Sequence, residues 1–365
     1  MENIRLIKPF LNYSAVEDDF RAIFESGIFT KGENVNAFAK ELATYVGSKH
    51  AFLTTSATTA LWVCLKALNI TQGDEVAVSD FSFPATANVV EDLGAHPIFI
   101  DVDKNSFNMK PEDLIKKISS KTKAVIFVDS FGNPSNLLSI RDICKKHSIP
   151  LIEDAACAIG SRVNTQCCGQ IADLTCFSFH PRKLICTGEG GAITTNNDDL
   201  ANWLDQKLQH GATQKSKTSI EFSEYGFNFR MSEIQSVMGR KQLHVIDDII
   251  EKRNEIKIKY QSLLETYNLI PQKIDETVRH NVQSLVFRAP SKYIRNKIIF
   301  GLRKKGIETT IGTYAQSNTV YYKNKYSDVQ QTSSDLENTT ITFPCYDGVP
   351  YKHICEEIDK IFSGK

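Results

Sequence analysis

The chain has 365 residues, 41% of them hydrophobic and 24% charged, and its 43 basic side chains are matched by 43 acidic ones. A formal net charge of zero excludes a general electrostatic attraction to nucleic acid or to an anionic membrane. No apolar run approaches the length of a bilayer span, and the start MENIRLIKPFLNYS lacks the apolar core of a secretory leader. The length exceeds a usual single core, so two domains, or one large α/β domain with an appendage, are expected. Cysteines at positions 64, 144, 157, 167, 168, 176, 186, 345 and 355 show neither a CxxC spacing nor His partners in a zinc pattern. They read as reduced thiols of a cytoplasmic protein with no metal centre.

Taken in chain order, HAFLTTSATTALWVCLKAL predicts a strand over 50–54, a short polar turn, and a helix whose Leu61, Cys64, Leu65 and Leu68 fall at i, i+3, i+4 and i+7. Ser56 stands where an N-cap is needed. Further strand-like runs over 75–79, 97–100, 124–129, 149–153, 174–179 and 190–195 alternate with amphipathic helical patterns. Such alternation predicts a mostly parallel sheet with helices on both faces. In IPLIEDAACAIG the strand delivers Glu153 and Asp154 at its carboxyl end, where open α/β sheets collect their ligands. Next comes SFHPRKLICTGEGGAITTN over 178–196, which holds Lys183 in a loop between two strands. A lysine placed there faces a cleft more readily than a core.

A long helical stripe follows through Ile246, Ile249, Ile250, Ile256, Tyr260, Leu263, Leu264 and Tyr267, and it predicts a helix linking two domains. Beyond it, QSLVFRAP, a helix over 292–305 and TTITFPCY predict a C-terminal α+β domain. Segment 324–338, rich in Ser, Asp and Gln, predicts a solvent-facing loop. The expected division is a large α/β domain over 1–245 and a small α+β domain over 246–365.

Six segments carry a resemblance over nearly the whole chain: SGIFTKGENVNAFAKELATYVG, TTSATTAL, GDEVAVSDFSFPATANVVEDLGAHPIFIDVD, EDAACAIG, SFHPRKLICTGEGGAITTN and YGFNFRMSEIQSVMG. In that order and spacing they resemble the DegT/DnrJ/EryC1/StrS family of sugar aminotransferases, pyridoxal-phosphate enzymes of the aspartate-aminotransferase fold. The resemblance implies a mixed, mostly parallel seven-stranded sheet in the large domain. It implies pyridoxal 5'-phosphate (PLP), alternating with its amine form PMP, as cofactor.

By the same resemblance Lys183 is the Schiff-base lysine that also serves as general base and acid, and Asp154 is the acid opposite the pyridine nitrogen. Ala57, Thr58 and Thr59 correspond to the helix start that receives the cofactor phosphate. Ser178 corresponds to a hydroxyl on the same phosphate, and Phe83 to a ring against the pyridine face. Asn228 corresponds to an asparagine that reaches the phosphate of a neighbouring subunit, which implies a homodimer with shared active sites. Thr30, Lys31, Arg230 and Tyr314 correspond to substrate contacts. Arg230 and Glu233 read equally well as an ion pair at a helix start.

Three positions depart from the family pattern. Cys157 stands where many relatives carry Gln or His near the cofactor's 3-hydroxyl, and Leu184 where Asn often follows the lysine. In GTYAQSNTVYY, which resembles a substrate-proximal segment, Ser317 stands where a His is common. The implied reaction moves an amino group from L-glutamate to the keto carbon of a nucleotide-linked keto-deoxysugar, for polysaccharide, glycan or amino-sugar synthesis. Two other readings stay open: the same transfer to a keto-cyclitol or a small phosphorylated ketone, and a non-catalytic ligand-sensing protein of the same fold. Dehydratases on this fold replace the lysine by His, whereas this chain keeps Lys183.

Overall fold

In the computed structural model, which describes residues 3–216 and 219–363, seven strands form the central sheet. Side by side they run His50–Thr54, Gly191–Thr195, Leu174–Ser178, Leu151–Asp154, Thr122–Val128, Glu75–Ser79 and His96–Ile100. Gly191–Thr195 pairs antiparallel with both its neighbours, and the remaining pairings are parallel. The sheet is thus mixed and mostly parallel, as the alternating pattern predicts.

Period-two alternation sorts the strand side chains between the two faces. Val76, Val78, Ile126 and Ile152 pack into one apolar cluster together with Leu61, Cys64 and Leu65 of the helix Ala57–Ala67. Ala77, Val125, Phe127 and Leu151 pack into another with Leu137 and Ile140 of the helix Leu137–His147. Because both faces are covered, Leu174–Ser178 and Gly191–Thr195 are buried along their whole lengths.

A second sheet has the order Ile270–Pro271, Leu285–Arg288, Thr340–Phe343, Thr310–Ile311, with every pairing antiparallel. The helix Ile246–Leu264 joins the two sheets through its own sequence. Its first turns bury Ile246, Ile249 and Ile250 in a cluster with Phe177 and Ala192. Its later turns bury Ile256, Tyr260 and Leu264 with Phe287 and Phe343 of the second sheet. The amino-terminal segment also docks on this side, where the Ile4 N–H donates to the Gly306 carbonyl at 2.8 Å and the Glu308 N–H to the Ile4 carbonyl at 2.8 Å.

Segment 324–338 is not a loop. It contributes the end of the helix Val320–Tyr326 and most of the helix Gln331–Thr339, with Leu336 fully buried. Low intrinsic propensity is overridden by a cap from far away in the chain. The Asp101 carboxylate, at the end of the strand His96–Ile100, accepts from the Thr332 N–H at 3.2 Å and from the Ser333 N–H and hydroxyl at 3.0 Å each. A carboxylate at a helix amino terminus satisfies donors that the helix itself leaves unpaired.

Candidate active site

At the carboxyl ends of Thr122–Val128 and Leu151–Asp154 the large sheet opens onto a chamber of about 200 Å³ lined by Phe83, Asp154, Cys157, Lys183 and Gly312, among others. Lys183 lies in the loop that follows Leu174–Ser178, and its Nζ donates to Cys157 Sγ at 3.0 Å. The loop is held on both sides of the lysine by one amide. Gln283 accepts from the Leu184 N–H at 2.9 Å and donates to the Arg182 carbonyl at 2.6 Å. Nothing in the local pattern around Gln283 signals this role, because its partners stand about a hundred residues earlier.

Asp154 is 5% exposed. Its carboxylate accepts from the Thr86 hydroxyl at 2.9 Å and the Ala156 N–H at 3.2 Å. Burial pushes this carboxyl above its ordinary range, while Thr86, the Ala156 N–H and the Lys183 charge pull it part of the way back. Thr86, which escaped the sequence reading, belongs to the helix Ala85–Asp92 and is itself bonded to the Ser82 hydroxyl at 3.0 Å.

The start of the helix Ala57–Ala67 is not part of the chamber's lining. Ser56 is extended at φ −168°, and its hydroxyl accepts from the Thr59 N–H at 3.1 Å. That contact occupies the Thr59 N–H, the third donor of this helix start. The strand Gly191–Thr195 runs directly against this turn. A Cβ on Gly191 would stand 2.5 Å from the Ser56 carbonyl carbon and 2.6 Å from the Ala57 nitrogen. Gly191 pairs in register with Ser178, which brings the Ser178 hydroxyl and the helix start to the same side of the lysine loop. A helix start with free N–H groups suits an anionic oxygen cluster, and the buried Asp154 suits a cationic ring nitrogen. With Lys183 lining the same chamber as Asp154, the residues present fit a flat, phosphorylated heteroaromatic aldehyde.

The other residues singled out in the sequence are distributed differently. Phe83 lines the chamber and is 66% exposed. Tyr314 pairs with Ser82, which sets it beside Phe83. Lys31 and Arg230 meet in a separate cavity of about 280 Å³ with Asp205 and Gln209, and Thr30 forms a bridge to Ser232. Within one chain these three are not brought to Lys183. Asn228 is exposed and forms a bridge to Gln209, also away from the lysine.

Glu233 is a helix cap. Its carboxylate accepts from the N–H groups of Gly32 and Asn34 at 2.9 Å each and of Val35 at 3.0 Å, at the start of the helix Glu33–Val46. Ser317 does not line the chamber either. It is buried, with its N–H and hydroxyl donating to Asp80 at 2.7 and 3.0 Å.

Residues 13–361 match the DegT/DnrJ/EryC1/StrS aminotransferase family. The chain is 33% identical to UDP-4-amino-4,6-dideoxy-N-acetyl-beta-L-altrosamine transaminase of Campylobacter jejuni, with 92% of this chain and 91% of that one covered. It is 30% identical to GDP-perosamine synthase of Vibrio cholerae, with 92% and 93% covered. Among solved structures, the PLP form of the putative sugar aminotransferase Spr1654 from Streptococcus pneumoniae superposes with a TM-score of 0.88 at 25% identity, covering 99% of this chain and 98% of that one. Among the described residues, no helix is long and apolar enough to cross a membrane.

Proposed function

The chain belongs to the DegT/DnrJ/EryC1/StrS aminotransferase family and uses pyridoxal phosphate, and we propose that it moves an amino group from L-glutamate to the keto carbon of a nucleotide-linked keto-deoxysugar. The observation that carries this reading is the convergence of Lys183 and the buried Asp154 on one chamber. Similarity to a transaminase and a synthase of nucleotide-linked amino sugars supports the acceptor.

The bound cofactor supplies an electron sink for the carbon that loses its proton. Lys183 carries the cofactor and, once displaced, moves that proton as base and then acid. Asp154, held by Thr86 and Ala156, would hold the ring nitrogen of the bound cofactor in its protonated form. Ala57, Thr58 and Ser178 would hold the phosphate, with Thr59 fixing the turn through Ser56, and Phe83 would cover the ring. Cys157, a partner of the Lys183 amine, would take the place of the Gln or His that many relatives carry near the cofactor's 3-hydroxyl.

Asn228, Lys31 and Arg230 serve the chamber of a second copy in a homodimer. The paired strands Ala212–Ser216 and Ser219–Phe222 precede Asn228 and Arg230 in the chain, and Ile220, Phe222 and the following Tyr225 are more than half exposed, at 57%, 68% and 61%, as a face for that copy. We place the domain division at 1–245 and 246–365, a reading supported by a second sheet built wholly from strands after Ile270. The cysteines are all free, which supports a reducing compartment such as the cytoplasm.

The test is the visible absorbance of the purified holoenzyme, titrated with L-glutamate and then with nucleotide keto-sugars, keto-cyclitols and small keto-phosphates. The expected result is loss of the cofactor band with glutamate and its return with a nucleotide keto-sugar. Return with another acceptor class moves the substrate assignment to that class. A band indifferent to every amino donor rejects transamination in favour of a ligand-sensing role.

A further inference from the structure

Beside the carboxylate that faces the chamber stand two more acids, of which Asp129 also borders the chamber. Adjacent residues of a strand point to opposite faces, so Glu153 and Asp154 at the end of Leu151–Asp154 diverge. Val128 is in register with Asp154, and the Asp129 N–H donates to the Asp154 carbonyl at 3.2 Å. Asp129 therefore projects to the Glu153 side. There the side chains of Asp129, Glu153 and Cys168 bring one polar atom each within 4.8 Å of one another, and all three residues are buried.

The oxygens of this group are not alike. Glu153 Oε2 accepts from the Thr175 hydroxyl at 2.8 Å and the Gly169 N–H at 3.1 Å. Among the described residues, no other group donates to Glu153 Oε1 or to either oxygen of Asp129, and all three are buried. Two ionised carboxylates cannot share such a place, because neither is solvated and each repels the other. One proton between the orphaned oxygens satisfies donor and acceptor together.

We propose that Asp129 and Glu153 hold a single proton, with Asp129 the neutral acid and Glu153 the anion, and that this proton leaves Asp154 as the ionised carboxylate on the cofactor face. The assignment follows the donors: the end that already accepts two hydrogen bonds keeps the charge. The groups that act on Asp129 from the neighbouring elements are Glu153, Asp154, Cys157 and Cys168, all of them acids. Burial first, and then these neighbours, hold the Asp129 carboxyl well above its ordinary range. Burial likewise raises the Cys168 thiol well above its ordinary range, and a proton satisfies the orphaned carboxylate oxygens without calling on that sulfur. Were Asp129 ionised, its charge would favour proton capture by Asp154, and the contact with a cationic ring would be lost. Asp129 is on this account a positioning residue.

The inference rests on Asp154 facing the cofactor, but its decisive measurements use apo protein and so stand or fall apart from any transamination assay. Asp129→Asn keeps a donor toward Glu153 and cannot lose it. Its melting temperature should rise relative to the parent as pH is raised from about 5 to about 9, because the parent must release a proton there that the variant never held. The holo variant should keep the parent's cofactor absorbance. In an Asp80→Asn background, which removes another buried acid, infrared spectra at neutral pH should show a protonated carboxylic-acid carbonyl band that Asp129→Asn abolishes. Should Asp129→Asn fail to fold, the band in that background must by itself persist past neutral pH. Parallel melting curves, absence of the band, or a stoichiometric divalent metal whose chelation destabilises the parent would each overturn the proposal.

Discussion

The seam between Asp101 and the helix Gln331–Thr339 and the chamber around Lys183 are both organised by buried or half-buried carboxylates, yet they supply them with very different numbers of donors. At the seam Asp101 accepts from the N–H groups of Val102, Thr332 and Ser333, from the Ser333 hydroxyl and from Lys110 Nζ. Burial raises the Asp101 carboxyl, but Thr332, the Val102 and Ser333 N–H groups and Lys110 together hold it below its ordinary range. In the chamber Asp154 has two donors and Asp129 none, and both are pushed upward by burial. A carboxylate with a full complement of donors holds parts of the fold together. One left short is a place where a ligand or a proton completes the set.

The largest effect that would sharpen this contrast is at the lysine. Lys183→Ala should lower transamination by at least about a thousandfold and abolish the visible cofactor band, with the melting temperature of the apo protein little changed. Retained turnover would break the comparison, since the under-donated region would then not be the reactive one. Next in size is Gly191→Ala, which drives a methyl group into the Ser56–Ala57 backbone. Overpacking of this kind costs about 1–3 kcal/mol, and the variant should also bind the cofactor more weakly in an absorbance titration.

On the seam side, Asp101→Ala removes the cap of the helix Gln331–Thr339. The expected loss is about 1–2 kcal/mol in denaturant unfolding, with less effect on the glutamate half-reaction than either chamber variant. Asp80 tests the comparison most gently, because it belongs to the seam yet titrates like a chamber acid. Burial, against the bonds from Ser317, pushes its carboxyl up to about 7. The folded state then binds more protons than the unfolded chain between about pH 4 and 7. Stability therefore falls as pH rises across that window and stays lower above it. Asp80→Asn should flatten that part of a melting-temperature profile, and an unchanged slope would show that the carboxyl titrates normally.

How much was legible in the sequence depends on how far each signal had to reach. Strand periodicity and the turn residues around Lys183 and Asp154 are local, and the sheet they describe is the one observed. Ser56 was readable as a cap because its partner Thr59 is three residues away. The helix Gln331–Thr339 was not readable, since its polar composition argues for a loop and its cap is supplied by Asp101, 231 positions earlier. Gln283, Thr86 and Asp129 escaped for the same reason: each acts on a partner in another element. Lys31 and Arg230 carried a resemblance to substrate contacts, while the structure gathers them into a cavity of their own.

The sequence by itself determined the kind of chemistry through a resemblance: six segments in family order and spacing carry the lysine, the acid and the helix start, and each is written in a few consecutive residues. Only the tertiary structure decided how the charges are balanced. A proton or a hydrogen bond on a buried carboxylate depends on which donors from distant elements come within about 3 Å, and that distance is a property of packing, not of neighbours in the chain.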